Sequence, residues 1–408
     1  AMSTEGAAVS PESESATSAW TPQRLRETIR SLPAAELFPE LAARAGDALE
    51  AWYHRFPTKV WSRFVKIADS GTGRTQRIPK VLKEFNEAAP VLARLLDWVQ
   101  EAAPAGSPAL DLIDLCSGFG FLSMFASEIL PQTAVDCIYL VDRSWPNRGV
   151  DANSANSDHI STDHVYSHGK WRIPLLTLKL DLCKGADIRS LARHVLQEAR
   201  PTILCGLHLC GTLSLRACQL FNDALAAGCG VTGLMLAPCC LPRPQHRKRR
   251  FLYDVGGHRF AATELFNKTG GDSVLAAAES GAHEGAPVGA YGAYTEHLFE
   301  CLAVEDKKRE VIPIHRNSDR GGGAQAQNVF LTARAPFQHA GLEHFRTASA
   351  VSNFGRPVVV EIDGQPRAVE AAVGEATGSG ASAEARLQTA GSRSAVLSSD
   401  GDGTKADE

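Results

Sequence analysis

Apolar positions along this chain change their period once, near residue 110. Before that point they recur at helical spacing. Leu25 and Ile29 follow a Thr21-Pro22 pair suited to cap and start a helix, and Leu37, Leu41, Leu49 and Trp52 carry apolar faces onward. Lys80 and Lys83 precede a helix predicted to end near Val99, and 104–108 reads as a short linker. From Leu110 short apolar runs alternate with helical segments, the pattern of parallel strands joined by helical crossovers. The runs are Leu110 to the turn at Cys116, then 135–141, 173–180, 202–209 and 230–236. Between them lie helices carrying Phe121, Leu122, Phe125 and Ile129, then Ile188, Leu191 and Val195, then 214–226. A helix over 261–268, a periodic stretch over 294–304 and two last strands over 310–314 and 328–334 complete the pattern, with 316–323 as a polar turn. Residues 1–19 and those from about 365 onward have almost nothing to bury and are predicted to be disordered.

The expected organisation is an α/β sheet domain over 105–340, a helical N-terminal region over 20–104, and a small C-terminal extension over 341–364 before the tail, 365–408. With 44% hydrophobic and 22% charged residues among 408, the composition is that of an ordinary globular protein. A formal net charge of -4 excludes a uniformly basic nucleic-acid binder and leaves room for a local basic patch. No apolar run approaches membrane-spanning length, and the opening AMSTEGAAVSPESES has no apolar core. No membrane partner is therefore expected, and the expected location is cytoplasmic or nuclear, or organellar. Ten cysteines without a CxxC pair read as free thiols of a reduced compartment and disfavour a zinc ribbon. His159, His164 and His168 lie in a Ser/Asn/Asp-rich stretch that reads as loop, so no metal is expected there.

The chemistry gathers at strand ends. In Cys116-Ser117-Gly118-Phe119-Gly120 the glycines allow close approach of backbone to a ligand, and the following helix offers N–H groups and a positive dipole end. Asp142 closes the second strand 22 residues beyond Gly120, where doubly wound folds bind ribose hydroxyls; a helix cap or surface acid is the plainer reading. Asp181 closes the third strand, either to accept from an adenine amino group or to cap the next helix. Strand four ends in Gly206-Leu207-His208-Leu209-Cys210-Gly211, and strand five runs into Ala237-Pro238-Cys239-Cys240-Leu241-Pro242. In an open parallel sheet that edge binds ligands. RPQHRKRR follows, in which Arg243, Arg247, Lys248, Arg249 and Arg250 make a solvated loop, a phosphate contact or a nuclear-localisation signal. Earlier, Trp52, Tyr53, Phe56, Trp61 and Phe64 interleave with His54, Arg55, Lys59, Arg63 and Lys66, either as a packed helical layer or as an RNA-facing surface.

Taken jointly and in this order, DLCSGFGFLS, Asp142, Asp181, GLHLCGTLSLR and LAPCCLP resemble class I S-adenosylmethionine-dependent methyltransferases over about 78–335. In particular the chain is similar to the methyltransferase-like group that includes eukaryotic tRNA 2′-O-methyltransferases. It departs from the tRNA enzymes in having Leu241-Pro242 where they have histidines, and in lacking their N-terminal Cys/His zinc module. The resemblance implies a seven-stranded Rossmann-like methyltransferase sheet and S-adenosylmethionine as cofactor. Asp114 and the backbone of Cys116, Ser117, Gly118, Phe119 and Gly120 would lie beside its amino-acid part. Asp142 would bind its ribose, and Asp181 with Leu182 would flank its adenine. His208 is the candidate base, or else a histidine satisfied within a tight turn. Cys210 and Cys239 are further catalytic candidates, as a nucleophile or as lining, and Cys240 with Arg247, Lys248 and Arg249 would contact the acceptor. RNA is the expected acceptor, tRNA-like, with tRNA processing as the setting. A small-molecule methyltransferase, a nicotinamide-dependent dehydrogenase and a non-catalytic subunit of an RNA-processing assembly are the alternatives.

Overall fold

A computed structural model of the chain describes residues 20–67, 78–102, 109–146, 160–168, 170–197, 200–242, 251–266, 289–314, 328–336 and 354–361. Five helices come first: α1 (Pro22–Arg30), α2 (Pro33–Leu37), α3 (Pro39–Arg55), α4 (Thr58–Val65) and α5 (Lys80–Ala102). Thr21 is the N-cap of α1, its Oγ1 accepting from the Arg24 N–H at 3.3 Å, and Pro22 holds the first position. Helix α5 starts at Lys80, so both Lys80 and Lys83 lie within it rather than ahead of it, and it continues through Pro90 past Val99. The expected linker, 104–108, lies outside the described residues.

Strands β1 (Leu110–Leu115), β2 (Val135–Val141), β3 (Leu175–Leu178), β4 (Thr202–Leu209), β5 (Val231–Pro238), β8 (Lys307–Val311) and β9 (Val329–Arg334) form a seven-stranded mixed sheet in the order β3-β2-β1-β4-β5-β9-β8. The crossovers are α6 (Phe121–Ile129), the short α7 (Asp163–Tyr166), α8 (Gly185–Leu191) and α9 (Thr212–Ala226). The first five strands in chain order are parallel, β9 runs antiparallel to β5, and β8 antiparallel to β9. All six residues of β1 are buried, as a central strand covered on both faces requires. The architecture is the expected α/β class with a Rossmann-like sheet. Strand order reverses between β2-β1 and β1-β4, so the carboxyl ends of β1 and β4 form the topological switch point at which open α/β sheets bind ligands.

Alternation along the strands splits the interior into two cores. Leu110, Leu112, Ile138, Leu140, Ile203 and Met235 face a cluster shared with α1 to α6, and Ile113, Leu115, Tyr139, Leu204 and Leu234 face the opposite cluster with α8 and α9. The N-terminal helices are thus one covering layer of the sheet. Trp52, Phe56, Trp61 and Phe64 are 0, 5, 2 and 0% exposed, and among their bases Arg55 pairs with Glu128 at 2.9 Å. Of the two readings of that segment, the packed layer is the one observed; these four rings cannot stack on bases.

Some boundaries differ from expectation. Strand β3 is confined to four residues, and β8 starts three residues before the run at 310–314, because its partly buried edge position admits Lys307 to Arg309. A second, three-stranded antiparallel sheet, β10-β6-β7, was not expected: β6 (Phe251–Val255) and β7 (His258–Ala261) form a hairpin and β10 (Val359–Glu361) pairs with β6. Gly256 and Gly257, at φ 61° and 83°, make its two-residue turn. Two helices, α10 (Ala262–Phe266) and α11 (Gly289–Glu300), follow. No helix among the described residues is long and apolar enough to cross a membrane.

Candidate functional site at the carboxyl edge of the sheet

The turn after β1 is built for proximity. Cys116, Gly118 and Gly120 all take positive φ, at 55°, 53° and 89°. For Cys116, a side-chain residue, that conformation is strained and is held by its surroundings. Ser117 N–H donates to Val141 O at 3.0 Å, and the Ser117 hydroxyl accepts from Trp145 Nε1 at 3.1 Å. The two glycines are not equivalent. A Cβ on Gly120 would lie 2.5 Å from Leu140 Cδ2, whereas one on Gly118 would meet nothing within 4 Å. Gly120 therefore packs inward and caps α6, while Gly118 faces open space. Phe119 is clamped from behind: His164 stacks on its ring at 3.9 Å and 7°, and His164 Nε2 lies 2.9 Å from its carbonyl. Burial holds the His164 pKa down at about 4, so this imidazole is a neutral structural prop. Its place in a polar loop-like stretch gave no sign of that role.

Three acids approach the turn. Asp142 Oδ2 accepts from Gly118 N–H at 3.0 Å and Oδ1 from Ser144 N–H at 2.8 Å, so the carboxylate ties the second strand end to the glycine turn. Each oxygen keeps a second acceptor site. Asp181 Oδ1 accepts from Cys183 N–H at 2.9 Å, closing a local turn, and its own N–H donates to Asp187 Oδ2 at 2.9 Å. Leu182 is 3% exposed and belongs to the core, which leaves only its backbone to flank a ligand. Asp114 is 4% exposed and accepts from Ser123 Oγ at 2.7 Å. Burial lifts its pKa to about 7, the Ser123 hydroxyl opposing and the nearby Asp142 adding to the rise.

Across the switch point, His208 takes φ 56° at the end of β4, which turns its ring out of the strand. Its Nε2 lies 3.0 Å from Glu87 Oε2, and Lys83 Nζ reaches the same oxygen at 2.7 Å. Burial lowers the His208 pKa, but the Glu87 carboxylate outweighs it and the net direction is upward. Burial likewise raises that of Glu87, which His208 and Lys83 overcome, bringing it down to about 2. Glu87 is the site residue that sequence reasoning missed. The available signal was an acid on the apolar stretch of α5, where it is 2% exposed among Phe85, Ala88 and Ala89.

The cysteines come together as their strands predict. Pairing of Leu209 with Pro238 sets the ends of β4 and β5 side by side. Cys210 Sγ lies 3.2 Å from Cys239 Sγ, and the sulfurs of Cys210, Cys239 and Cys240 all fall within 4.8 Å of one another. Arg247, Lys248 and Arg249, with the rest of the basic loop at 243–250, lie outside the described residues. The edge thus unites the glycine turn, Asp142, Asp181, His208 and the three thiols. A small cleft beside α5, lined by Phe38, Arg94, Asp97, Glu310 and Phe330, is elsewhere; at about 70 Å³ it is far below the roughly 300–1,000 Å³ of small-molecule sites.

The fold and site define an α/β protein with a Rossmann-like sheet and a polar strand-end edge. Compared with known families, the chain matches no family model, and no curated protein matches it.

Proposed function

We propose that the chain is an S-adenosylmethionine-dependent methyltransferase acting on RNA of tRNA-like structure. The observation that carries this reading is the convergence of the glycine turn, Asp142 and Asp181 at one edge of a sheet that ends in the antiparallel β8–β9 pair. That pair counts against a nicotinamide-dependent dehydrogenase, whose doubly wound sheet is built from parallel halves. So does Ser123, which stands where the third fingerprint glycine would be and is committed to Asp114.

The residues present fit the cofactor. The open side of Gly118 admits a ligand against backbone, Asp142 retains acceptor sites for two hydroxyls, and the Asp114 carboxyl, ionisable near neutrality, suits a neighbouring ammonium. When bound, the cofactor supplies a methyl group on a positively charged sulfur. His208, its Nε2 turned to Glu87, keeps Nδ1 to take the proton released by an acceptor hydroxyl or amine, and Glu87 holds the ring and supports the positive charge it gains. The five bases at 243–250 follow β5 closely in the sequence, which favours a polyanionic acceptor over a small metabolite.

Isothermal titration with S-adenosylmethionine, S-adenosylhomocysteine and NAD tests the cofactor; no binding of the first two would sink the proposal. Incubation with radiolabelled S-adenosylmethionine and either cell RNA or a small-metabolite extract tests the acceptor. Label confined to the metabolite fraction rejects RNA. His208→Ala is expected to lose turnover by about 10²–10⁴-fold with cofactor affinity unchanged.

A further inference from the structure

Three thiols meet where β4 and β5 end, and nothing in the proposed methyl transfer uses them together. Cys210 is exposed and Cys239 and Cys240 half-buried, so ions in solution reach them. The segments carrying them are fixed. Gly211 N–H donates to Cys240 O at 3.3 Å, Tyr291 Oη donates to Pro238 O at 2.6 Å, and Tyr294 Oη donates to Gly211 O at 2.5 Å. Two tyrosines of α11 thus clamp both strand ends, one on each cysteine-bearing segment. Gly211 takes φ 57°, and a Cβ there would stand 3.2 Å from Pro242 Cα, so the two backbones touch.

We propose that Cys210, Cys239 and Cys240 are three ligands of a single soft divalent metal, Zn²⁺, whose fourth position takes an exchangeable ligand. Zinc–thiolate bonds of ~2.3 Å in a tetrahedron set sulfurs ~3.8 Å apart. The present separations, 3.2 Å for one pair and at most 4.8 Å for the others, bracket that distance. Small side-chain rotations therefore suffice. Sulfur donors select zinc over magnesium or calcium, which require oxygen. Three protein ligands are all that the described residues bring to the cluster, and three with a fourth position open is the arrangement of zinc sites that also bind water or substrate. Binding displaces thiol protons into solution as the sulfurs become thiolates. Of the other seven cysteines, Cys137, Cys205, Cys218, Cys229 and Cys301 are buried and Cys116 and Cys183 half-buried, and none of the seven joins a metal-ligand cluster among the described residues. The cysteines carry no CxxC pair, which is why a zinc ribbon is disfavoured from the sequence. Here the separation of 29 residues between Cys210 and Cys239 is closed by strand pairing. The proposal stands on the thiol geometry and does not depend on the identity of the cofactor.

The test uses the full chain, purified with a phosphine reductant and stripped of metal. One Zn²⁺ per chain by elemental analysis is expected. Co²⁺ should give the thiolate-to-cobalt charge-transfer and tetrahedral ligand-field bands, and Zn²⁺ should shield the three thiols from alkylation, as mapped by mass spectrometry. Cys210→Ser, Cys239→Ser and Cys240→Ser, each checked for folding by circular dichroism, should weaken Zn²⁺ by at least about a hundredfold, more than the ~10–100-fold cost of losing an outer partner. Cys183→Ser should leave it unchanged. Because shielding is read on the wild type, a variant that fails to fold does not remove the test. Reduced, folded wild type that takes up neither metal overturns the proposal, as does unaltered affinity in the three variants. A Cys210–Cys239 disulfide in the non-reduced chain, with no metal uptake after reduction, overturns it too.

Discussion

Asp114 places an ionisable group where ionisation is costly, and Asp114→Asn isolates the cost. The carboxyl is 4% exposed at the end of a strand buried on both faces, and burial, opposed by Ser123 and reinforced by Asp142, holds its pKa at about 7 against 3.8 in an ordinary setting. Between those two values the folded chain binds the proton that the unfolded chain has released. Stability contributed by the protonated form is therefore complete below about pH 4 and is lost as pH rises through about 7. At ~1.4 kcal/mol per pH unit the whole window amounts to about 4 kcal/mol, and the part between about pH 5 and pH 8.5 to about 2–3 kcal/mol. Asparagine is nearly isosteric, can still accept from the Ser123 hydroxyl, and never ionises. Urea unfolding of wild type and variant across this range should therefore show the variant gaining on wild type by that amount as pH rises. Titrating groups that do not interact with Asp114 cancel in the difference. Parallel stability curves, or a variant that loses ground at high pH, would refute the assignment of a buried proton to Asp114. Should the cofactor's ammonium sit beside this carboxyl, its binding below about pH 7 expels the proton, and Asp114→Asn abolishes the buffer-dependent part of the binding heat.

Glu87, held down at about 2, has the opposite sign: its stabilisation is present above the ordinary carboxylate range and lost as pH falls toward about 2. Glu87→Gln, which leaves Lys83 and His208 facing a neutral amide, should cost about 3–5 kcal/mol near neutral pH and progressively less on acidification, as read from denaturant midpoints. Gly120→Ala, with a Cβ 2.5 Å from Leu140 and φ at 89°, should lower the melting temperature markedly, while Gly118→Ala should cost only the roughly 1–2 kcal/mol of its left-handed conformation yet impair cofactor binding. Equal effects on both readouts would remove the distinction between a packing glycine and a ligand-facing one. Replacing the five bases at 243–250 with Gln should weaken RNA binding and reduce the slope of log affinity against log salt by ~0.7–0.9 for each phosphate that is no longer neutralised; an unchanged slope makes the loop a bystander.

What the sequence exposed and what it concealed divide along one physical line. Where a signal is local, as in the apolar-rich runs of β1, β2 and β4 or the glycine turn, it was legible nearly to the residue, because strand burial and positive φ each constrain residue type directly. The β6–β7 hairpin carried such a signal in Gly256-Gly257 between two apolar-containing runs, a stretch to which no element was assigned before the helix expected at 261–268. Site chemistry depends instead on partners distant in the chain. His208 could be picked out as a strand-end imidazole, but whether it is a base or a satisfied turn residue turns on Glu87, 121 positions earlier on a helix of the covering layer. The same applies to Phe119, held by His164, and to Cys210, whose chemistry is set by Cys239 and Cys240. This places the N-terminal helices in a new role. They do not merely cover the sheet: α5 supplies the carboxylate that fixes His208, and α4 supplies Phe64, packed edge-on to Phe119 at 5.6 Å. A chain lacking 20–104 would therefore lose both the wall of one core and the partner of its candidate base. Helical cover and strand-end chemistry must fold together for the site to exist.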